Sequence, residues 1–363
     1  MTQPGSSQVV ALLERACRAG WTPGAAAGWV EPGRDEPAVV ATGRAAVAPQ
    51  PLDVAPSTWF DLASLTKPLV VGTLSLLAVR SGRLRLDTTV ADVLPEAGHR
   101  PVGAATVAQL LSHVSGLPAW TPLYALAEGR PECALDVLLG LPLVEPGARV
   151  VYSCPGYVLL GWMLERRSGM ALDRLFDEQV LRPLGLRDTL GFRPAPDRPV
   201  AAGARVPAAE RRLVRERGLD PASVPAVGPG LPDDGNARFL DGVAGNAGLF
   251  GSAAGVLGLA RAYLQRDGFL SGAEIDVATV NRTAGLEQAR SLGWQLADSP
   301  GCSAGSALDR TAFGHTGFTG TSLWIDPTRG AAMAVLANRV HPGHRSTDLH
   351  PLRRRFHQIV LGR

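Results

Sequence analysis

The 363-residue sequence predicts an α+β fold. Three observations support this prediction. A helix and short β-type runs open the chain, helix-rich segments fill its middle, and β-type runs and a last helix close it. Hydrophobic residues make up 45% of the chain and charged residues 19%, which excludes a disordered polymer and allows a large core. We therefore expect a helical insert within an α+β frame.

The first elements are a helix and a hairpin. Apolar residues at helical spacing predict an amphipathic helix over residues 6–19, which Gly20 ends. Two β-type runs follow at 24–30 and 38–42, and turn-forming residues 31–35 separate them. This spacing predicts an antiparallel hairpin.

Helices dominate the middle of the chain. A long apolar helix is predicted over 64–80, because Pro68 lies near its first turn and Gly82 follows its end. Periodicity predicts four more helices, at 106–113, 134–140, 156–168 and 172–180. A long loop follows near 194–244, and within it the interleaved charges of 205–217 indicate a solvated helix face.

Strands return in the last third of the chain. A helix is predicted over 252–266, strand-like runs over 291–296, 313–325 and 331–338, and a closing amphipathic helix near 348–361. No internal repeat is visible. Strands thus flank the helical middle on both sides.

Charge and cysteine content exclude several classes of partner. A net charge of +3, spread along the chain, does not indicate nucleic-acid binding. The four cysteines lack CxxC pairing or regular spacing, so neither a disulfide framework nor a zinc site is indicated. No cofactor is expected. The start of the chain lacks a signal-peptide pattern, and the longest apolar run, 69–79, is too short for a bilayer. We expect a cytoplasmic protein with no membrane partner, of unknown oligomeric state.

A metal site is also disfavoured. The last 23 residues contain four histidines, and neither carboxylates nor cysteines join them in a ligand pattern. These residues are His341, His344, His350 and His357. We therefore expect no metal.

The chain contains a single lysine. Of its 36 basic side chains, 35 are arginine and one is Lys67. A pressure toward arginine exchanges the two residues wherever only a positive charge is needed, but an arginine side chain does not lose its proton in proteins. A site that needs a titratable amine must keep its lysine. Lys67 is therefore a candidate catalytic amine, and chance survival of a surface lysine is the alternative.

Ser64 stands three residues before this lysine. At the start of a helix, positions i and i+3 share one face, so the Lys67 amine can reach the Ser64 hydroxyl. A desolvated neutral lysine can take the proton of a serine nucleophile. The Ser64 backbone N–H lies at the positive helix end, where an oxyanion is stabilised.

Two further segments carry candidate site residues. Tyr152 precedes a predicted helix, where its phenol can exchange protons with a nearby amine and serine, whereas Tyr157 within that helix is interpreted as a packed aromatic residue. The run from Gly314 to Gly320 contains His315 and heads a predicted strand, where glycines let the backbone approach a ligand. His113 is interpreted as a structural hydrogen-bonding residue.

Together these motifs resemble those of a known family. Ser64-Leu-Thr-Lys67, Tyr152-Ser-Cys154 and His315-Thr-Gly317, in that order, are similar to the three motifs of the serine β-lactamase and penicillin-binding-protein superfamily. The similarity is greatest to the branch of class C β-lactamases, family VIII carboxylesterases and D-stereospecific peptidases. It implies an antiparallel sheet flanked by helices, plus an inserted helical domain.

The resemblance implies a role for each motif. Ser64 is the acylated nucleophile, Lys67 its base and Tyr152 a proton relay, and the backbone N–H groups of Ser64 and Phe318 form the oxyanion hole. The substrate-binding residues implied are Cys154, His315, Thr316 and Gly317. Residues 1–63 and 245–363 together form the α/β domain and 64–244 the mostly helical domain, with the active site at their interface.

Two departures from the family pattern shape the functional expectation. Cys154 replaces the usual asparagine, whose amide binds the acylamide group of β-lactams and peptides, and a thiol is a weak donor. His315 replaces a frequent lysine that helps anchor a substrate carboxylate. We therefore expect a serine hydrolase that cleaves small acyl esters. The alternatives are a β-lactamase or D-amino-acid peptidase or amidase, a biosynthetic acyltransferase, and a catalytically silent binding protein.

Overall fold

Strands from both ends of the chain share one sheet. The computed structural model describes residues 4–34, 36–48, 50–343 and 347–362. The strands are β1 Gly24–Val30, β2 Ala38–Ala46, β3 Leu52–Asp53, β4 Phe60–Asp61, β5 Leu190–Phe192, β6 Leu249–Gly251, β7 Gln295–Leu296, β8 Phe313–Thr316, β9 Ser322–Asp326 and β10 Ala331–Ala337. Seven of them form an antiparallel sheet in the order β3-β2-β1-β10-β9-β8-β7, and β4-β6-β5 form a smaller antiparallel sheet.

Helices fill the middle of the chain and flank the large sheet. The α-helices are α1 Pro4–Arg18, α2 Thr73–Arg80, α3 Val90–Val93, α4 Val107–Leu111, α5 Leu123–Leu126, α6 Ala134–Leu139, α7 Cys154–Ser168, α8 Leu172–Phe176, α9 Arg182–Leu184, α10 Ala208–Glu216, α11 Gly235–Phe239, α12 Ala253–Leu264, α13 Gly272–Thr279 and α14 His350–Val360. The predicted α+β class is confirmed. The boundaries predicted for the two domains stay a prediction.

Both faces of the inner strands β1 and β10 are buried because alternate side chains of each strand enter different cores. Trp29 of β1 packs with α1 and α14, its ring centroid 6.2 Å from that of Phe356. Its neighbour Val30 enters the opposite core, which contains Leu257 of α12. The helices at the two chain ends thus cover one face, and α12 covers the other.

The predicted helix over 64–80 forms as three joined pieces. A 3₁₀ turn spans Ala63–Leu65, a π-helical segment spans Lys67–Gly72, and α2 completes the helix. Pro68 has no backbone N–H, so a regular α-helical hydrogen-bond ladder cannot run through it. By length and composition Ala63–Arg80 could cross a membrane, but 83% of it is buried inside the protein, as in a core helix.

Two sequence expectations were wrong in detail. The predicted loop near 194–244 contains α10, where the charges of 205–217 already indicated a helix, and α11, a five-residue helix that the sequence did not predict. The predicted run over 313–325 is two strands, because the turn after Thr316 reverses the chain and Gly320 takes a φ of 107°. His315 therefore ends a strand instead of heading one.

Candidate active site

Ser64 lies on a short turn between β4 and the π-helical segment. Its neighbour Ala63 has a φ of 47°, a left-handed conformation that is uncommon for a residue with a side chain. The Asp61 carboxylate accepts from the Ala63 N–H at 2.8 Å and from the Asp233 N–H at 2.7 Å, and the Thr66 hydroxyl donates to the Ala63 carbonyl at 2.6 Å. Side chains on both sides of Ser64 therefore hold this strained turn.

Lys67 is fully buried and points at the serine. Its Nζ donates to the Ser64 Oγ at 2.9 Å and to the Asn246 carbonyl at 3.0 Å. Burial disfavours the ammonium, but pairing with the anionic forms of Cys154 and Tyr152 outweighs it and raises the pKa of Lys67 to about 12. The expected role of Lys67 as the base of Ser64 stays a prediction.

Tyr152 lies beside this amine in a segment that His113 supports. The Lys67 Nζ is 4.9 Å from the centre of the Tyr152 ring, and the His113 ring is 4.5 Å away on centroids. The Ser153 N–H donates to the His113 Nδ1 at 3.0 Å, and the Val151 N–H donates to the His113 carbonyl at 2.9 Å. The structural hydrogen-bonding role predicted for His113 is confirmed.

Tyr157 packs beneath this segment. Its hydroxyl donates to the Leu111 carbonyl at 2.7 Å, and its side chain is fully buried. Its ring lies 5.0 Å from that of His113 on centroids. The predicted packed aromatic residue is confirmed.

His315 is buried next to Tyr152 and is neutral. The Thr316 carbonyl is 2.8 Å from its Nδ1, which must therefore carry the proton. Its Nε2 is buried and has no hydrogen-bond partner in the described part of the chain. Burial, and then the charges of Arg290 and Lys67, hold the pKa of His315 well below its usual range.

The turn after Thr316 is fastened to the segment that leads to the serine. The Thr319 hydroxyl donates to the Asp61 carbonyl at 2.7 Å, and the Thr321 hydroxyl donates to the Leu62 carbonyl at 3.0 Å. The Arg339 Nε donates to the Phe318 carbonyl at 2.8 Å. These bonds couple Phe318 to the Ser64 turn, while the oxyanion role of the two N–H groups stays a prediction.

A cavity of about 640 Å³ joins the predicted site residues. All of these residues except Lys67 line it: Ser64, Tyr152, Cys154, His315, Thr316, Gly317 and Phe318. One part of its wall is acidic and another is basic. The acidic side chains are Glu210, Asp233, Asp234 and Asp348, and the arginines are Arg290, Arg339 and Arg353.

Sequence reasoning missed several residues of this wall. Glu210 falls on the predicted solvated face of α10, yet it is largely buried and pairs with buried Arg238 at 2.8 Å. Arg290 is buried against Tyr152 and belongs to a residue type that occurs throughout the chain. The only available signal was that Arg290 precedes the short strand run predicted at 291–296.

Three of the four terminal histidines lie within the described residues. His341 accepts from the Val47 N–H at 3.0 Å, and His357 hydrogen-bonds to the Ala304 carbonyl at 2.9 Å. No cluster of three or more ligating side chains occurs within residues 4–34, 36–48, 50–343 and 347–362. His344 lies outside the described residues.

Comparison with known proteins decides the family. The Beta-lactamase family model matches residues 10–358. The chain belongs to the Beta-lactamase family. This confirms the resemblance on the three motifs and the expected β-lactamase and DD-peptidase-like fold. Members of the Beta-lactamase family are generally serine hydrolases.

Two curated relatives of this Beta-lactamase-family chain have names that describe the cleavage of different bonds. Over 318 residues it is 28% identical to "Putative D-alanyl-D-alanine carboxypeptidase" of Escherichia coli K12, covering 80% of this chain and 71% of the relative. Over 317 residues it is 28% identical to "N-acetylmuramyl-L-alanine amidase" of Bacillus subtilis 168, covering 80% and 70%.

A solved structure shows the same fold. EstCE1, described as "a hydrolase with promiscuous acyltransferase activity", aligns with a TM-score of 0.76 at 22% identity, over 99% of this chain and 98% of its own. At that identity the likeness concerns the fold alone.

Proposed function

We propose that this protein is a serine hydrolase that forms an acyl-enzyme on Ser64 and cleaves small acyl esters. The observation that carries the proposal is the 2.9 Å hydrogen bond from the chain's single lysine to the Ser64 Oγ, at the wall of a cavity that Tyr152 also lines. A nucleophile, a buried amine and a phenol thus meet where a substrate can enter.

The Lys67–Tyr152 pair handles the proton. In this mechanism Lys67 stays an ammonium, and the Tyr152 oxygen, in its phenolate form, accepts the Ser64 proton. Ser64 Oγ attacks the acyl carbon, its proton passes to that oxygen, and the same proton then goes to the departing alkoxide. A water molecule then attacks the acyl carbon and passes its proton to the Tyr152 oxygen. That proton goes to the departing Ser64 Oγ, and the acid is released. The Lys67 ammonium holds the Ser64 oxygen in place throughout.

The Ser64 turn stabilises charge on the acyl oxygen. The backbone N–H groups of Ser64 and Phe318 are the proposed donors to this oxyanion. The Thr319 and Thr321 hydrogen bonds described above keep the two segments in register. Fixed donors of this kind need no reorganisation during the reaction, which lowers its barrier.

The substrate preference follows from two positions. Cys154 offers only a weak thiol donor where an amide would bind a peptide or acylamide group, and burial raises the pKa of this thiol. His315 is neutral, so it supplies no cation to a substrate carboxylate. These features support an ester substrate, which needs neither anchor.

D-peptidase activity is the second candidate. The name of the Escherichia coli relative favours it, and the basic wall near Arg353 could accept a substrate carboxylate. Acyl transfer to an added alcohol or amine is the third, and product analysis separates it from hydrolysis.

A panel of chromogenic substrates tests the proposal. p-Nitrophenyl acetate and butyrate, nitrocefin and a D-alanyl-D-alanine peptide are offered to the parent, Ser64→Ala and Ser81→Ala proteins. We expect ester turnover by the parent and the control Ser81→Ala, whose serine is exposed, and none above background by Ser64→Ala. Equal ester turnover by parent and Ser64→Ala would overturn the proposal, and turnover of the peptide alone would select the second candidate. Nitrocefin turnover gained by Cys154→Asn would assign that position to amide recognition.

A further inference from the structure

Arg290 is a buried cation at the wall of the cavity. It is 8% exposed and lines the cavity with Tyr152 and His315. Its Nε and one terminal nitrogen both donate to the Gln288 Oε1, at 3.2 and 2.8 Å. Among the described residues no Asp or Glu side chain forms an ion pair with it. Its positive charge is therefore held in place by a neutral amide.

Other buried arginines of this protein are compensated differently. Arg238 pairs with the Glu210 carboxylate at 2.8 Å. Arg353 donates to the carbonyls of Gly320 and Thr321 at 3.2 and 3.0 Å. A buried charge without a counter-ion is costly, so Arg290 differs from a structural ion pair such as Arg238 with Glu210. Its environment indicates an anion that forms only during function.

The group nearest to Arg290 that can become an anion is Tyr152. The guanidinium carbon lies 5.5 Å from the centre of the Tyr152 ring, and the Lys67 Nζ lies 4.9 Å from the same centre. Tyr152 is thus within Coulombic range of two buried cations. Burial lowers the pKa of Arg290, and the anionic forms of Tyr152 and Tyr157 act in the opposite direction.

We propose that Arg290 is a positioning residue that acts through Tyr152: its charge stabilises the Tyr152 phenolate that accepts the Ser64 proton. The inference rests on the proposed function, in which Tyr152 is the accepting group. No proton leaves Arg290 at any step. It acts because a positive charge interacts more favourably with an ionised phenol than with a neutral one.

The other ionisable groups around Tyr152 do not stabilise its phenolate. Burial, together with nearby cations, holds the pKa values of His113 and His315 well below the usual range, so both rings are neutral. Burial raises the pKa values of Cys154 and Tyr157. The Asp234 carboxylate acts on Lys67 and favours its ammonium form. Lys67 and Arg290 are therefore the two cations on this phenol.

The tyrosine content of the chain makes ionisation of Tyr152 measurable without turnover. The protein has four tyrosines. Burial raises the pKa of Tyr263 to about 12 and moves those of Tyr124 and Tyr157 further upward. Phenolate absorbance near 295 nm, measured as the difference between a protein and its Tyr152→Phe counterpart, therefore isolates Tyr152.

The experiment titrates this difference signal in the parent, Arg290→Met, Arg290→Gln and Arg290→Lys. We expect its midpoint to move up by about one pH unit in the first two variants and to return in Arg290→Lys. Arg198→Met is the matched control, because Arg198 lies 4.7 Å from the Trp59 ring, outside the cavity lining, and should leave the midpoint unchanged. Near-ultraviolet circular dichroism selects the folded variants.

A second arm measures kcat/KM for neutral p-nitrophenyl acetate against pH. Arg290→Met should lose about tenfold on the acidic limb and recover on the plateau. An unchanged absorbance midpoint in folded Arg290→Met and Arg290→Gln would overturn the inference, as would an unchanged acidic limb of the ester profile in Arg290→Met. Absence of Ser64-dependent turnover with a shifted midpoint would instead overturn the proposed function while supporting the role of Arg290.

Discussion

Two tyrosines of the candidate site provide a matched pair of substitutions. Tyr152 is half-buried at the cavity wall, beside Lys67, whereas Tyr157 is fully buried five residues later in α7. Removing either hydroxyl leaves an aromatic ring of nearly the same volume. We expect Tyr152→Phe to lose activity and keep stability, and Tyr157→Phe to do the reverse.

The magnitudes follow from the contacts of each hydroxyl. The Tyr157 hydroxyl donates to the Leu111 carbonyl at 2.7 Å, so its loss leaves a buried acceptor unpaired and costs about 1–3 kcal/mol of unfolding free energy. The Tyr152 hydroxyl faces the cavity and the Lys67 amine, so its loss should change stability by no more than about 0.5 kcal/mol. Loss of a proton-accepting group should lower kcat by about 10²–10⁴-fold.

Urea unfolding and p-nitrophenyl ester hydrolysis, measured on both variants, check these values. Tyr157→Phe should retain kcat to within a few-fold. The assignment would be refuted if Tyr152→Phe kept full kcat, or if Tyr157→Phe lost as much activity while its unfolding free energy stayed unchanged.

Three further predictions concern charged groups. Lys67→Arg should lower esterase activity by at least about a thousandfold, since a planar guanidinium cannot reproduce the two contacts of the buried Lys67 Nζ, and normal turnover in this variant would contradict the role of the lone lysine. Hydrogen bonds from Arg80 and Ser271 outweigh burial and lower the pKa of Glu274 to about 2. Glu274→Gln should therefore lower the free energy of unfolding by about 1–2 kcal/mol at pH 7, after allowance for solvent around Arg80. Urea unfolding should show this difference vanishing as the pH falls from 4.5 toward 2. Burial lowers the pKa of His357 to about 4, so between pH 6.5 and 4 the unfolded chain binds a proton that the folded protein does not. The parent should therefore lose about 2–3 kcal/mol of unfolding free energy as the pH falls across this window, and His357→Gln should lose less.

The sequence predicted the centre of the candidate site well because local spacing determines it. A serine three residues before a lysine at a helix start places the two side chains together, and the structure brings them to 2.9 Å. The protonation of Lys67 was not predictable in this way. It depends on Cys154 and Tyr152, which are more than 80 residues away and reach the amine only through the fold.

Long-range contacts also explain the other omissions. Arg290 could not be distinguished from 34 other arginines until burial against Tyr152 set it apart. The inward side of α10 was hidden because Glu210, a charged residue in a charged segment, is buried through long-range contacts with Gly235 and Arg238. Strands with alternating or continuous apolar sequence, such as β1 and β10, were predicted with nearly the observed bounds.

Covalent labelling of Ser64 is the most direct test of the acyl-enzyme claim. The parent protein, Ser64→Ala and Lys67→Arg are incubated with a fluorophosphonate, and intact mass and peptide mapping locate the adduct. We predict one adduct on Ser64 in the parent, none in Ser64→Ala and strongly slowed labelling in Lys67→Arg. A parent protein that stays unmodified, or that is labelled equally fast after Ser64→Ala, would contradict the account.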